Sequence, residues 1–244
     1  MQSGMYVSLS AQRALDKRLT TIADNMANIN TVGFRGTEVK FDEVLSKTGN
    51  DLNAKVAFVS QGNDYLSERN GELQRTGNDL DFAVKGDAWF SLETPAGRVL
   101  TRDGRFTLTD TGELVSVRGY RVLDTGGAPI QLDRTGGEVH VGRDGTIVQN
   151  GRQISQIGLF QADVSKGYLR YDNSAITTTQ QPQPVVDNPS VGVLQGYIEQ
   201  SNVNGVQEMT QLIQVSRAFE SVSSVMGQTE NSLAETIKAL GGSK

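Results

Sequence analysis

Nine positions near the C-terminus, Leu212, Val215, Phe219, Val222, Met226, Thr229, Leu233, Thr236 and Leu240, follow one another at gaps of three and four residues without a slip. A 3.5-residue repeat of this kind marks the narrow seam of a helix that packs lengthwise against other helices. A helix lying on a globular core carries a wider apolar face. Asn204 is placed to cap such a helix, Gln207 to complete a capping box, and Gly241 with Gly242 to stop it. At ~1.5 Å per residue the helix reaches roughly 55 Å, longer than a compact domain of this size needs. Part of the seam is therefore expected to face other chains.

The first thirty residues carry a matching stripe. Leu15, Leu19, Ile22, Met26 and Ile29 repeat at four, three, four and three, and the register runs back through Gln12 and Ser8 to Met5 as it weakens. Asn28, Asn30 and Gly33 close the helix. Two seams at opposite ends of a chain can pair with each other, parallel or antiparallel, as an intramolecular hairpin, as a coiled-coil dimer or within a larger assembly. Periodicity alone does not choose among these. Ser216, Ser223 and Ser224 border the C-terminal seam and leave room for close helix approach.

Between the two ends the pattern changes. Residues 37–45 read as a short helix or an extended segment, 56–59 as a short strand, and 61–78 as polar and turn-rich. From 79 to 176, short runs of Val, Ile, Leu and Thr are punctuated by Asp-Gly, Asn-Gly and Gly-Gly pairs, the turn chemistry of an antiparallel sandwich or small barrel. Leu80, Phe82 and Val84 alternate with polar or small residues as in a half-buried strand, and a second strand is expected over 88–92. Pro182, Pro184 and Pro189 mark an extended return between 180 and 192, because proline fixes its own backbone and disfavours helix before it. The fold class is α+β, mainly β in the middle: an antiparallel β domain inserted between terminal helices. The divisions are a helix over 1–33, an extended connector over 34–78, the β domain over 79–179, a Pro-rich return over 180–203 and a helix over 204–244.

The chemistry-bearing residues are sparse. A net charge of −5 with no basic stripe argues against nucleic acid as a partner. No apolar run is long enough to cross a bilayer, and the N-terminus shows no cleaved secretory signal. There are no cysteines, so thiol catalysis, disulfides and Cys-based zinc sites are absent. Asp110-Thr111-Gly112 and Asp124-Thr125-Gly126 match the tripeptide of aspartic proteases, but both fall where hairpin turns are expected and too close in sequence for two symmetric lobes. His140, the single histidine, lies between Val139 and Val141 and alternates outward to solvent. Arg102-Asp103-Gly104 and Arg143-Asp144-Gly145 share turn chemistry rather than a repeat. No phosphate loop, dinucleotide fingerprint or calcium loop is present. No catalytic residue, cofactor, metal or small-molecule substrate is assigned.

Three stretches carry a resemblance. Residues 22–34, Ile-Ala-Asp-Asn-Met-Ala-Asn-Ile-Asn-Thr-Val-Gly-Phe, resemble the N-terminal signature of bacterial flagellar rod and hook proteins, with Asn25, Asn28, Asn30, Gly33 and Phe34 as its marked positions. Residues 80–90 and the run Thr101-Arg102-Asp103-Gly104-Arg105-Phe106 resemble that family's central β region. Residues 196–204, with Asn202 and Asn204, resemble its C-terminal signature, together with Glu208-Met209 and Arg217-Ala218-Phe219-Glu220. Residues 127–179 match less clearly, and Ala88-Trp89-Phe90 stands where the family often has Gly and two aromatics. The short segment before Leu80 resembles a proximal rather than a distal rod member.

This resemblance implies a structural subunit, not an enzyme. It would be exported unfolded through the flagellar type III apparatus without cleavage and assembled in the periplasmic part of the basal body into a hollow, torque-transmitting rod. Its terminal helices would form a coiled-coil-like tube, with Leu15, Leu19, Ile22, Met26, Ile29, Leu212, Val215, Phe219, Val222, Met226, Leu233 and Leu240 at subunit interfaces. Its partners would be copies of itself, other rod proteins and the export apparatus. Outside the assembly the terminal helices are expected to be poorly ordered, since exposed seams do not offset the entropy of ordering them. The competing readings are a distal rod protein, and a secreted β-domain hydrolase or binding module with a helical oligomerisation hairpin. The second needs convergent acids or an aromatic platform, and the chain has one Trp and six Tyr.

Overall fold

The computed structural model describes residues 2–41, 43–47, 55–60, 62–186 and 188–241. Two helices bracket the chain, α1 over Gln2–Ala27 and α2 over Gly205–Gly241. Everything regular between them among the described residues is β-strand, apart from a single 3₁₀ turn at Val164–Lys166. The class is α+β with an antiparallel β middle. Two compact units result. One gathers 1–27, 37–65 and 204–244, and the other gathers 28–36 and 66–203.

In the helical unit α1 and α2 pack along each other. Gln12 donates from its side-chain amide to the Ser223 hydroxyl at 3.4 Å. The segment that follows α1 is bonded to the segment that precedes α2: Gly33 N–H donates to the Glu199 carbonyl at 2.7 Å and Asn202 N–H to the Phe34 carbonyl at 3.3 Å. The helices are thus joined at the end of one and the start of the other, with residue 12 level with residue 223, and they run antiparallel. Asn204 caps α2, its Oδ1 accepting from the N–H groups of Val206 and Gln207, each at 3.1 Å, which satisfies two of the orphan donors of the first turn. The far end of α2 is described to Gly241, and Gly242 lies outside the described residues.

α1 ends at Ala27, two residues before the last seam position. Side chains that prefer turns take over there. Asn25 Nδ2 donates to the Thr37 carbonyl and its Oδ1 accepts the Thr37 N–H, both at 2.9 Å, so one amide mimics a strand partner for Thr37–Lys40. Asn28 accepts from the Thr31 N–H and from its hydroxyl, both at 3.1 Å. Ile29 therefore lies in a turn and not on the helix. Strand Thr37–Lys40 pairs with Asn63–Leu66, and Glu43–Lys47 forms an antiparallel hairpin with Lys55–Val59, against which α1 also packs.

The second unit holds the core. Its largest sheet runs Tyr168–Arg170, Ala175–Thr178, Gly97–Thr101, Trp89–Thr94, Arg121–Val122, Leu114–Ser116 and Phe106–Leu108, with Leu159–Gln161 and Gln183–Pro184 added beside Trp89–Thr94. Every pairing is antiparallel. Val139–Val141, Thr146–Gln149 and Arg152–Gln156 make a smaller meander with a bulge after Ile147. Phe82, Phe90, Phe106, Leu114, Val122, Ile130, Ile147 and Ile157 pack into one cluster.

Three expectations change. Phe82–Lys85 is not half-buried, because Phe82, Ala83 and Val84 are all covered. Gly192–Gln195 pairs along its whole length with Phe82–Lys85 in a two-stranded antiparallel sheet. The Pro-rich return is thus built into the β structure: Gln183–Pro184 adds at the edge of Leu159–Gln161, where proline's missing donor costs nothing. The turn-rich segment 61–78 also contributes strands, at Asn63–Leu66 and Leu73–Arg75, the latter paired with Tyr197–Glu199.

Candidate assembly site

The seam positions take the less exposed side of each helix. Ile22 and Val215 are buried, at 3% and 5% exposure. Leu15, Leu19, Met26, Leu212, Phe219, Val222 and Met226 are half-buried. The side chains of Leu233 and Leu240 lie outside the described residues. Thr236 is exposed and donates back to the Ser232 carbonyl at 2.7 Å, turning its hydroxyl onto its own helix. Lys17, on the flank of α1, bridges Asp64 at 3.0 Å and the Gly62 carbonyl at 2.9 Å, so the extended strand is tied to the helix.

Of the signature residues, Asn25 and Asn204 belong to the helical unit, and Asn28, Asn30, Gly33, Phe34 and Asn202 to the β unit. Gly33 has φ +69°, and a Cβ there would stand 2.2 Å from the Asp103 backbone nitrogen, so only glycine fits. Phe34 is buried under the Arg170 guanidinium, 4.4 Å above its ring. Asn202 accepts the Gly36 N–H and donates to the Arg69 carbonyl, both at 2.7 Å. Asn30 sits exposed in the turn after α1.

Beneath these residues lies an ionic cluster that no periodicity announced. Arg102 is fully buried. It donates to Glu199 Oε2 at 2.9 Å, to the Gly86 carbonyl at 2.7 Å and to the Val84 carbonyl at 3.3 Å. Arg35, also buried, donates to the Glu68 carbonyl at 2.8 Å and to Asn70 Oδ1 at 2.6 Å, with Glu199 Oε1 3.7 Å away. Glu199 Oε1 accepts the Gly71 N–H at 2.9 Å. Both guanidiniums lie over the Trp89 ring, at 5.4 and 5.3 Å from its centre, which adds a cation–π attraction in a dry environment. Burial pushes the Arg35 guanidinium down to about 10, helped by the charge of Arg102 and opposed by Glu199. Burial likewise lowers Arg102, and Glu199 opposes it. The cluster joins the three resembling stretches at one point. Its one legible trace in the sequence is an Arg directly after the apolar run Val99-Leu100-Thr101.

The enzyme-like motifs dissolve into turns. Asp110 pairs with Arg134 on the surface, and Asp124 Oδ1 accepts the Ala128 N–H at 2.8 Å. His140 is exposed, 3.6 Å from the Glu138 carboxylate. Trp89 is buried and offers no platform. The two Arg-Asp-Gly runs share an aspartate that accepts an N–H two residues on, from Arg105 and from Thr146, each at 3.1 Å. Their arginines differ: Arg143 reaches the Pro189 carbonyl at the surface. Among the described residues no group of His, Asp and Glu is arranged to hold a metal, and no helix is long and apolar enough to cross a membrane.

Comparison with known proteins agrees with the three stretches. Residues 5–35 match the family described as flagella basal body rod protein, 83–149 the flagellar hook protein FlgE/F/G D1 domain, and 194–240 the flagellar basal body rod FlgEFG protein C-terminal family. The chain is 59% identical over 244 residues to the flagellar basal-body rod protein FlgF of Rhizobium meliloti (strain 1021), covering all of both chains. It is 53% identical over 241 residues to the protein of the same name from Mesorhizobium japonicum, covering 99% of each. Identity falls to 28% over 261 residues against the flagellar basal-body rod protein FlgG of Bacillus subtilis (strain 168), with 97% and 98% covered. Full-length likeness of this degree places the chain in the FlgF family of flagellar basal-body rod proteins.

Proposed function

We propose that this chain polymerises through its terminal helices into the proximal part of the rod, the drive shaft of the flagellum. The observation that carries this reading is the pair of long helices whose apolar seams stay half-exposed in a single chain of a rod family. Leu15, Leu19, Ile22, Met26, Leu212, Val215, Phe219, Val222 and Met226, continued by Leu233 and Leu240, form helix-to-helix contacts within and between subunits, and Ile29 caps the end of the stripe. Apolar burial at about 25 cal/mol per Å² along these stripes supplies the binding, against the cost of ordering long side chains. Lengthwise contacts of this kind resist twisting, as a torque shaft requires. The segments 1–33 and 204–244 act as the assembling core, joined by 34–78 and 180–203 to the β domain over 79–179.

The subunit travels unfolded through the flagellar type III apparatus without cleavage and works in the periplasm beside other rod proteins. It takes no cofactor, nucleic acid or small-molecule substrate, and its role is mechanical, not catalytic. Phe219→Asp is the direct test, since a seam carboxylate loses its water on assembly with no partner. The variant should keep the near-ultraviolet circular dichroism of the β unit, be missing from purified basal bodies and abolish swimming. Normal incorporation and swimming would overturn the reading.

A further inference from the structure

Asparagine followed by glycine carries its own covalent chemistry. The glycine nitrogen is able to attack the asparagine carboxamide carbon because glycine places no Cβ in the way. The chain holds three such pairs, Asn70-Gly71, Asn150-Gly151 and Asn204-Gly205. All three asparagines are exposed, so access to water does not separate them. What separates them is the hydrogen bonding of the two groups that must react.

At Asn70 both groups are held. The Arg35 guanidinium donates to its Oδ1 at 2.6 Å, and the Gly71 N–H donates to Glu199 Oε1 at 2.9 Å. Ring closure would turn the nitrogen away from that carboxylate and leave the buried Glu199 short of a donor. There is no room to turn either, since a Cβ at Gly71 would stand 1.8 Å from the Gln200 carbonyl oxygen. At Asn204 the side chain is committed to the cap of α2, its Oδ1 accepting from Val206 and Gln207, each at 3.1 Å. Reaction there requires the first turn of the helix to lose its cap.

At Asn150 nothing holds either group. Asn150 and Gly151 form the tip of the hairpin between Thr146–Gln149 and Arg152–Gln156, and the second of these is an outer strand of its three-stranded sheet. The Asn150 carboxamide and the Gly151 N–H have no hydrogen-bond partner among the described residues. Both residues have positive φ, +52° and +71°, as a type I′ turn demands. A Cβ at Gly151 would meet nothing within 4 Å, so the tip has room to rotate, and opening an exposed tip costs little.

We infer that Asn150 is a site of spontaneous covalent modification, converting to aspartate and isoaspartate while Asn70 and Asn204 persist. The Gly151 nitrogen loses its proton to hydroxide and bonds Asn150 Cγ. The Cγ–Nδ2 bond breaks, ammonia leaves, and a cyclic succinimide remains. Water then opens the ring. Opening at the side-chain carbonyl gives aspartate, and opening at the backbone carbonyl gives isoaspartate, whose main chain is one carbon longer. Either product adds a negative charge at the tip. The isoaspartate also lengthens the two-residue turn, so Gln149 no longer faces Arg152 and the outer strand loses its register. The chemistry belongs to the single folded chain and does not depend on the assembly proposed above.

The test uses the full-length protein, folded in one sample and unfolded in guanidinium in another. Both are held at mildly alkaline pH, and the acid formed at each Asn-Gly pair is followed by peptide mapping. In the folded chain Asn150 should convert, with Asn70 and Asn204 at least about tenfold slower because each must open locally first. In the unfolded chain the three should react at similar rates. Isoaspartyl methyltransferase with labelled S-adenosylmethionine should mark the aged folded chain on the tryptic fragment 144–152 alone. Equal rates at the three sites in the folded chain, or faster reaction at Asn70 or Asn204, overturn the inference. An Asn150 that stays intact in the folded chain overturns it as well. Acid at Asn150 without any isoaspartate means direct hydrolysis and overturns the ring-closure route.

Discussion

In the β unit Phe82, Phe90, Val99, Leu114, Ile130 and Ile176 have essentially no contact with solvent, whereas among the described residues of the helical unit only Ala14, Ile22 and Val215 are buried apolar side chains. The difference lies in what closes them. Antiparallel strands fold back on one another and enclose a core within one chain. The two antiparallel helices share one line of contact, and although α1 also packs against Lys55–Val59, both helices keep exposed apolar side chains such as Tyr6, Leu9, Met209 and Ile213. The β unit therefore encloses its core within one chain, whereas the described seam residues of the helical unit stay mostly half-exposed.

The sharpest way to break this contrast is hydrogen exchange on the full-length monomer. Amides of Trp89–Thr94 and Gly97–Thr101 should exchange only by global opening, while those of α1 and α2 open locally. With a unit stability of about 5 kcal/mol or more, the protection factors should differ by roughly three orders of magnitude. Equal protection in helices and strands would erase the distinction.

Next in size is Glu199→Gln, which leaves two buried guanidiniums without their shared carboxylate and should cost the β unit about 3–5 kcal/mol in urea unfolding. A loss under 1 kcal/mol would mean that Asp87, whose charge also reaches both arginines, compensates them alone. The helical counterpart is smaller. Asn204→Ala removes the acceptor for two N–H groups and should lower the helicity of the C-terminal segment by the equivalent of about 1 kcal/mol, with the β-unit midpoint unchanged. A shift of that midpoint would show that the two regions are coupled.

The smallest effect is a titration. The hydroxyl of Thr146, and then its N–H, hold the Asp144 carboxyl below its ordinary range. A carboxyl with a depressed folded-state pKa contributes stability that is present above its unfolded value of 3.8 and is lost as pH falls through the lower folded value. Thr146→Val should move the Asp144 carboxyl carbon titration upward toward that ordinary value, without any change in the helices. An unmoved titration would show that the N–H, not the hydroxyl, sets it.

Much of this architecture is written locally. The helix seams are visible because a 3.5-residue stripe has one structural meaning, and the hairpins because Asp-Gly, Asn-Gly and Gly-Gly pairs favour backbone angles few other residues accept. The end of α1 was less legible: Ile29 keeps the register, yet the helix yields at Ala27 to Asn25 and Asn28, whose side chains bond the chain beyond it. The Pro-rich return reads as a connector because Pro182, Pro184 and Pro189 dominate it, and its strand pairing depends on partners a hundred residues upstream.

The sequence by itself determined the long helices, the antiparallel β middle and the kinship with rod proteins, because each depends on neighbours within a few residues or on stretches that carry their own signature. Only the tertiary structure decided that Arg35, Trp89, Arg102 and Glu199 meet. Glu199 lies 97 residues from Arg102. No local preference favours burying a charge, whose cost is met only when a distant partner of opposite sign arrives. The same holds for the surface of α1 and α2: periodicity marks which side of a helix is apolar, and only the antiparallel pairing decides which of those side chains turn inward.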